Sequence, residues 1–378
     1  MKKLLITALI FISNILISQQ INVKDYGAKG DGKTDDTIAF LSAIRYANKT
    51  FADKKNASLI YIPSGTYILS SSIVLNKYVS IEGEFVNNTI LRMKTPNREL
   101  VILEKNRDES VIYNSYNYIK NLTLQGPTFT ESPFTEKNNL SNQNSVGIKV
   151  LGLRTRINDV QIDGFTNSGI EIKAVYYTYI NNCFIKNNGI GVVVDELSTS
   201  AFITNNELRF NSIAIHLKGN SFANFINNNM IESNIARYIA YDLTENYEKP
   251  FSTGKGILLE SSDANIITSN YFENQFVNIS INNSNKNNIN NNFIAIGDTT
   301  VNKDKNQISL QLMGQSKYNS FENNTFMTTK PILNSNKIII SKDDLSSNKI
   351  NIGDDNTKLK NNLNIQFKDS KRLPKISD

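Results

Sequence analysis

The chemistry-bearing residues of this sequence fall into two columns. The segments GIKV, GIEI, GVVV, AIHL, GILL and NISI begin at Gly147, Gly169, Gly191, Ala214, Gly256 and Asn278. Written in register, they place Lys149, Glu171, Val193, His216, Leu258 and Ser280 at one position, and two residues on Leu151, Lys173, Asp195, Lys218, Glu260 and Asn282 at another. If each segment is a strand of one sheet, side-chain alternation turns both columns to the same outward face. Glu171, Lys173, Asp195, His216, Lys218 and Glu260 then share one patch, which holds the only histidine of the chain. Carboxylates, lysines and an imidazole on one face supply what acid–base chemistry needs. Asp195 and Glu260 stand two strand spacings apart, roughly 9–10 Å at the backbone. Side-chain reach brings that towards the ~6.5–9.5 Å used by inverting glycoside hydrolases. Alternatively Lys173, Lys218 or His216 would abstract a proton beside a carboxylate. A lysine, or Ca²⁺ held by Glu171, Asp195 and Glu260, would then balance that charge. Alternating signs also keep a parallel ladder soluble, so the columns identify a face and leave the reaction open.

A repeat must position these columns. Between the segments above lie INDVQI, INNCFI, ITNNEL, INNNMI, ITSNYF, INNNFI and FENNTF, starting at Ile157, Ile180, Ile203, Ile226, Ile267, Ile289 and Phe321. Each opens and closes on an apolar residue and carries Asn or another small polar residue between. A fixed period of this kind marks a stacked solenoid. Short β-branched runs punctuated by Asn and Gly make each unit a set of strands, not helices. The pattern predicts a parallel β-helix whose stacked Asn side chains satisfy buried turn amides along the axis. The outward column of this second unit, Asp163, Lys186, Arg209, Glu232 and Glu273, reads as a solvated face. Cys183, the sole cysteine among 378 residues, excludes an internal disulfide and reads as a small buried residue.

The ends and insertions complete the plan. Residues 1–18 read as a secretion signal: Lys2 and Lys3, an apolar run from Leu4 to Ile17, and a cut after Ser18. The expected product is secreted or periplasmic, with no membrane span after signal removal. Residues 19–330 read as the β-helix with an amino-terminal cap, and 331–378 as a degenerate last coil and polar tail. Ile21 to Tyr26 alternates as a short strand. A helix is predicted from Thr34 or Asp35, with Ile38, Leu41, Ile44 and Ala47 closing the open end of the solenoid. Gly27 to Thr34 also fits the phosphate-loop pattern, but Asp31, Asp35 and Asp36 crowd the place meant for phosphates. The formal net charge of +6 is mild and scattered, and gives no sign of a nucleic-acid partner. Polar insertions at 127–144, 234–253 and 297–306 fall at one corner of the coil and suggest a groove wall beside the GIxI sheet. In the middle one Arg237, Tyr238 and Tyr241 have the character of sugar-binding residues, with Arg237 or Arg209 pairing a sugar carboxylate.

VKDYGAKGDGKTDDTIAFLSAI, Val23 to Ile44, resembles the amino-terminal signature of the pectate-lyase-like superfamily, which includes polygalacturonase-like, epimerase-like and tail-spike proteins. SLIYIPSGTYILSSSIVL, Ser58 to Leu75, resembles its next segment. The resemblance implies a right-handed parallel β-helix that acts on a polysaccharide, and tail spikes put a homotrimer among the expected assemblies. Polygalacturonase-like members carry acids in patterns resembling NTD and DD, and a GHG turn. Here NSGIEI, NNGIGV and NSIAIH put Ser168, Asn187 and Asn188 at the acid positions, and His216 lies within a strand. That departure moves the expected reaction towards β-elimination on an acidic, uronate-containing polysaccharide. In that reading Lys218 or His216 is the base and Glu171, Asp195 and Glu260 bind Ca²⁺ or sugar. Polygalacturonase-like hydrolysis by a carboxylate pair and a non-catalytic, adhesive solenoid are the alternatives.

Overall fold

Four ladders of aliphatic side chains run along the protein and set everything else. The computed structural model describes residues 20–50, 57–104, 115–127, 144–234, 254–296, 308–328, 337–341, 347–350 and 364–368. One ladder is Ile157, Ile180, Ile203, Ile226, Ile267, Ile289 and Phe321, each pairing with the next in parallel register. A second runs Ile162, Ile185, Leu208, Ile231, Phe272, Ile294, Phe326. The third and fourth come from the GIxI strands, Ile148 to Leu310 and Val150 to Leu312. All four lie within the buried core. Burying identical positions coil after coil lets each coil complete the core of the next.

The GIxI strands form one parallel sheet of eleven strands among the described residues, from Ile73–Leu75 to Asn364–Lys368. The INNxxI units each supply two short strands, such as Tyr179–Asn181 and Phe184–Lys186, separated by a turn. At that turn Asn182, Asn205, Asn228, Ser269, Asn291 and Asn323 take the left-handed conformation, which Asn tolerates better than most residues. The next residue begins an internal ladder. The Cys183 amide donates to Asn206 Oδ1 at 2.9 Å, Asn206 to Asn229, Asn229 to Asn270, Asn270 to Asn292 and Asn292 to Asn324. Two further ladders close the other corners: Asn188–Asn211–Asn234–Gln275, and Asn224–Asn265–Asn287–Asn319–Asn348. The expected stacked asparagines are thus present three times over, pairing turn amides that would otherwise be buried unpaired.

The cap departs from expectation in detail. The helix spans Thr37–Thr50, not Thr34 onward, because Asp31–Asp35 forms a strand beside Gly65–Leu69. Its buried face is Ala39, Phe40, Ala43, Ile44 and Ala47, so of the expected set Ile44 and Ala47 are buried while Leu41 is half-buried and Ile38 is 80% exposed. Phe40 packs edge-on against the buried Tyr67 ring at 5.5 Å. Only Gln20–Asn22 is strand before a 3-10 turn at Val23–Tyr26, so the strand expected to reach Tyr26 is shorter. The phosphate-loop pattern is filled by the protein's own carboxylates. Asp36 accepts from the Lys29 and Gly30 amides, and Asp31 accepts from those of Lys33 and Thr34. These bonds hold the Asp31 carboxyl down at about 2.

Candidate functional site

The GIxI sheet carries the two columns on one outward face. Lys149, Glu171, Val193, His216, Leu258, Ser280 and Gln311 are successive register partners. Lys173 pairs with Asp195 and Glu260 with Asn282, while the Lys218 amide donates to Val194 O beside Asp195. Outward does not mean exposed here. Val193, His216, Leu258, Ser280 and Gln311 are all buried although they point away from the solenoid core. The face therefore has a buried middle of mixed apolar and polar residues, with charged groups along one side of it.

Those charges sort into three groups. Lys149 bonds Glu99 at 2.7 Å and lies 3.9 Å from Glu171; Lys173 reaches Glu171 at 3.4 Å and Glu196 at 3.1 Å. Burial opposes charge on Lys173, but contacts with Glu196 and Glu171 outweigh it and hold the ammonium above its usual range. Lys173 is therefore firmly cationic at neutral pH, which contradicts its place among the expected proton acceptors. Lys218 lies 3.6 Å from Asp195, whose other oxygen accepts from the Glu196 amide at 2.8 Å. Gly219, with φ of 60°, lets the chain pass that carboxylate, because a Cβ there would lie 2.0 Å from Asp195 Oδ1.

The third group is His216 with Glu260. His216 Nε2 donates to Glu260 Oε2 at 2.8 Å, while Nδ1 is buried without a hydrogen-bond partner. The hydrogen bond from His216 holds the Glu260 carboxyl below its usual range against the opposing effect of burial, with the charges of His216, Lys255 and Lys218 assisting. A carboxylate on one ring nitrogen fixes the tautomer. In the neutral tautomer the lone pair is on the buried Nδ1, so the ring serves as a base held by an orienting acid only for a group that enters that space.

The three carboxylates assigned to Ca²⁺ do not converge. Glu171 lies against Lys149 and Lys173, Asp195 against Lys218, and Glu260 against His216. Among the described residues there is no group of three acidic, His or Cys ligands suited to a metal ion. Donors already bonded to cations do not fit a calcium site. Arg237, Tyr238 and Tyr241 lie outside the described residues. Arg209 belongs to the other sheet, where it bonds Glu207 at 3.0 Å and Glu232 at 3.1 Å. Cys183 is buried, and burial pushes its thiol up to about 12, which leaves it inert at neutral pH.

Two features were missed in the sequence. Lys255 is buried, and burial lowers its ammonium below the usual range, partly offset by Glu260. Its signal was a lysine between Ile190, Ile213, Val277 and Ile308 in a column whose other charged members, Glu99 and Lys337, stand towards its ends. On the other sheet Glu232 stacks directly on Glu273. Burial raises the Glu232 carboxyl, Arg209 opposes the rise, and Glu273 and Glu207 add to it. A raised carboxyl favours folding below about pH 4.3, its unfolded value, and loses that contribution as pH climbs through the folded one. Glu232→Gln, which keeps the Arg209 contact, should therefore stabilise the protein by roughly half a kcal/mol at pH 7. Thermal melts should show the gain vanishing towards pH 4; a loss of stability at pH 7 would contradict this.

Ladders, coils and one polar, partly buried face define a parallel β-helix protein. Residues 20–232 match the family described as rhamnogalacturonase A/epimerase, pectate lyase-like, and the chain belongs to that family. The segments Val23–Ile44 and Ser58–Leu75 fall inside this span. Alginate lyase 7 of Azotobacter vinelandii is 37% identical over 81 residues, covering 20% of this chain and 9% of that protein. The pre-neck appendage protein of Bacillus phage phi29 is 28% identical over 162 residues, covering 43% of this chain and 15% of that protein. The chain thus spans only a small part of the length of these curated relatives. Among solved structures, DFA-IIIase from Arthrobacter chlorophenolicus A6 superposes with a TM-score of 0.63 at 14% identity, over 88% of this chain and 84% of that one. Bacteriophage CBA120 tailspike protein 2 does so with 0.63 at 15%, over 86% and 48%. At such identities the structural likeness shows the fold alone.

Proposed function

We propose that this protein cleaves an acidic, uronate-containing polysaccharide by β-elimination on the outward face of the GIxI sheet. The observation that carries the reading is His216, with Nε2 bonded to Glu260 and Nδ1 buried and free. His216 Nδ1 takes the proton from C5 of the uronate. The electrons of that C–H bond form the C4=C5 double bond, the C4–O4 bond breaks, and O4 leaves with a proton drawn from water. Glu260 orients the ring and stabilises the imidazolium that forms. Lys218, steadied by Asp195, serves as a cationic contact for the chain. Family membership and the alginate lyase relative support a polysaccharide substrate. Secretion, through the signal read at residues 1–18, belongs to the same proposal; no helix of the described residues is long and apolar enough to cross a membrane.

The test is product analysis after incubation with a panel of uronate polysaccharides. Unsaturated uronate ends support elimination. Because the carboxylates of the face are held by cations, turnover should persist in the presence of a chelator. Abolition by chelator, with recovery on adding Ca²⁺, would contradict this and restore a calcium role to Glu171, Asp195 and Glu260. A second reading, glycoside hydrolysis, is favoured by the stacked Glu232 and Glu273, two carboxyl groups side by side on one face of which Glu232 is raised by burial. New reducing ends without unsaturation, lost in Glu232→Gln, would select it. Binding without cleavage would select the adhesive solenoid.

A further inference from the structure

Lys255 sits where a lysine has no structural reason to be. It opens the strand Lys255–Glu260, between Ile213 of the preceding coil and Val277 of the next. Simple alternation from the inward Ile257 would turn Lys255 inward as well. The strand does not alternate there. A Cβ on Gly256 would lie 3.1 Å from Phe272 Cδ1 and 3.3 Å from Ile231 Cγ2, so Gly256 and Ile257 both face the core. Gly147, Gly169 and Gly191 meet core side chains in the same way, so the break recurs from coil to coil and sets the Lys255 column apart from the inward ladders, on the side of Leu258. Its neighbour Val277 belongs with Ile308 and Phe276 to a small apolar cluster separate from the solenoid core.

The lysine is only 8% exposed; its amide donates to Ser212 O at 3.0 Å, while its ammonium makes no hydrogen bond or ion pair with any described residue. Glu260 lies near enough for its charge to act on Lys255, but not within ion-pair distance. An ammonium taken out of water without a partner is costly, and an aliphatic residue like its column neighbours would avoid that cost. His216, with its own unpartnered buried nitrogen, stands beside Leu258 on the same face. A largely buried ammonium and a fully buried ring nitrogen, neither with a partner among the described residues, thus lie on the face that carries Leu258.

We propose that Lys255 receives the carboxylate of a uronate sugar bound over Leu258, next to His216. This rests on the reading of the face as the site of a uronate polysaccharide, and it names the group that recognises the acid. The anion gives the ammonium the partner that it lacks. The ammonium in turn neutralises the carboxylate, which lowers the resistance of the adjacent C5–H to losing its proton. No metal ion is needed for that neutralisation.

The experiment compares wild-type protein with Lys255→Met and Lys255→Gln by titration calorimetry, using oligogalacturonate, oligomannuronate and neutral cellotetraose. A charge-assisted hydrogen bond is worth ~1.5–3 kcal/mol, so either variant should bind the uronate oligomers about ten- to a hundredfold more weakly. Affinity for the neutral oligomer should not change. Wild-type protein should also take up protons on binding the uronates at alkaline pH, read from buffers of different ionisation enthalpy, and the variants should not, because an anion restores the ammonium that burial disfavours. Lys255→Met should melt no lower than wild type, since its neighbours are aliphatic. Unchanged uronate affinity in both variants overturns the proposal, as does an equal loss for the neutral oligomer. Uronate binding that depends on Lys255 without any cleavage would leave the proposal standing and remove the elimination reading. Cleavage at wild-type rate and KM in both variants would do the reverse.

Discussion

His216→Ala is expected to lower turnover of a uronate polysaccharide by about 10²–10⁴-fold, the usual contribution of a positioned base. Substrate binding should change little, because Lys255 and Lys218 remain. Glu260→Gln should have a smaller but distinct effect. It leaves an acceptor beside His216 Nε2 and removes the negative charge that stabilises the imidazolium. Steady-state kinetics separate the two variants: Glu260→Gln should retain more turnover than His216→Ala, with KM unchanged in both. Full activity in His216→Ala would remove this residue from the chemistry and turn attention to Glu232.

The second large effect is on stability. Asn229 stands in the middle of a turn ladder: its Oδ1 accepts from the Asn206 amide at 2.9 Å and from Asn206 Nδ2 at 3.0 Å. Its Nδ2 donates to Ile203 O at 2.8 Å and to Asn270 Oδ1 at 2.9 Å. Asn229→Leu has a similar volume but takes the side-chain partner from the Asn206 amide and from Ile203 O in the preceding coil, while Asn270 Oδ1 keeps the backbone amide of residue 229. At about 1–3 kcal/mol for a buried group left without a partner, part of it recovered by relaxation, the expected loss is roughly 3–5 kcal/mol. Denaturant unfolding measures it directly. A loss below about 1 kcal/mol would mean that water replaces the ladder bonds.

The ladder also explains why so much of the fold was legible. In a solenoid the same chemical problem recurs at each coil, so Ile157, Ile180, Ile203 and Ile226 repeat at a constant interval, and so do the asparagines between them. A repeat of that kind registers distant segments without any knowledge of long-range contacts. For the same reason the face of Glu171, Asp195, His216 and Glu260 could be assembled from alternation alone. The cap does not repeat, and its helix was read starting from Thr34 or Asp35. A strand at Asp31–Asp35 displaces the start, and Phe40 and Ala43, not Ile38 and Leu41, face the core.

Lys255 escaped for a related reason. The glycine after it permits two consecutive inward positions, so the alternation that located His216 and Glu260 does not extend back across Gly256. Which lysine is charged and which is strained by burial depends on neighbours in other coils. Lys173 and Lys255 look alike in sequence, yet contacts with Glu196 and Glu171 raise one, and burial away from any carboxylate partner lowers the other.

The most direct measurement is ultraviolet absorbance of the C4=C5 double bond while the protein is offered oligogalacturonate and oligomannuronate in chelator, for wild type and His216→Ala side by side. A steady rise with wild type on at least one uronate, reduced a hundredfold or more in the variant, is the expected result. No rise on any uronate, or an equal rise from both proteins, would contradict elimination at the His216–Glu260 pair.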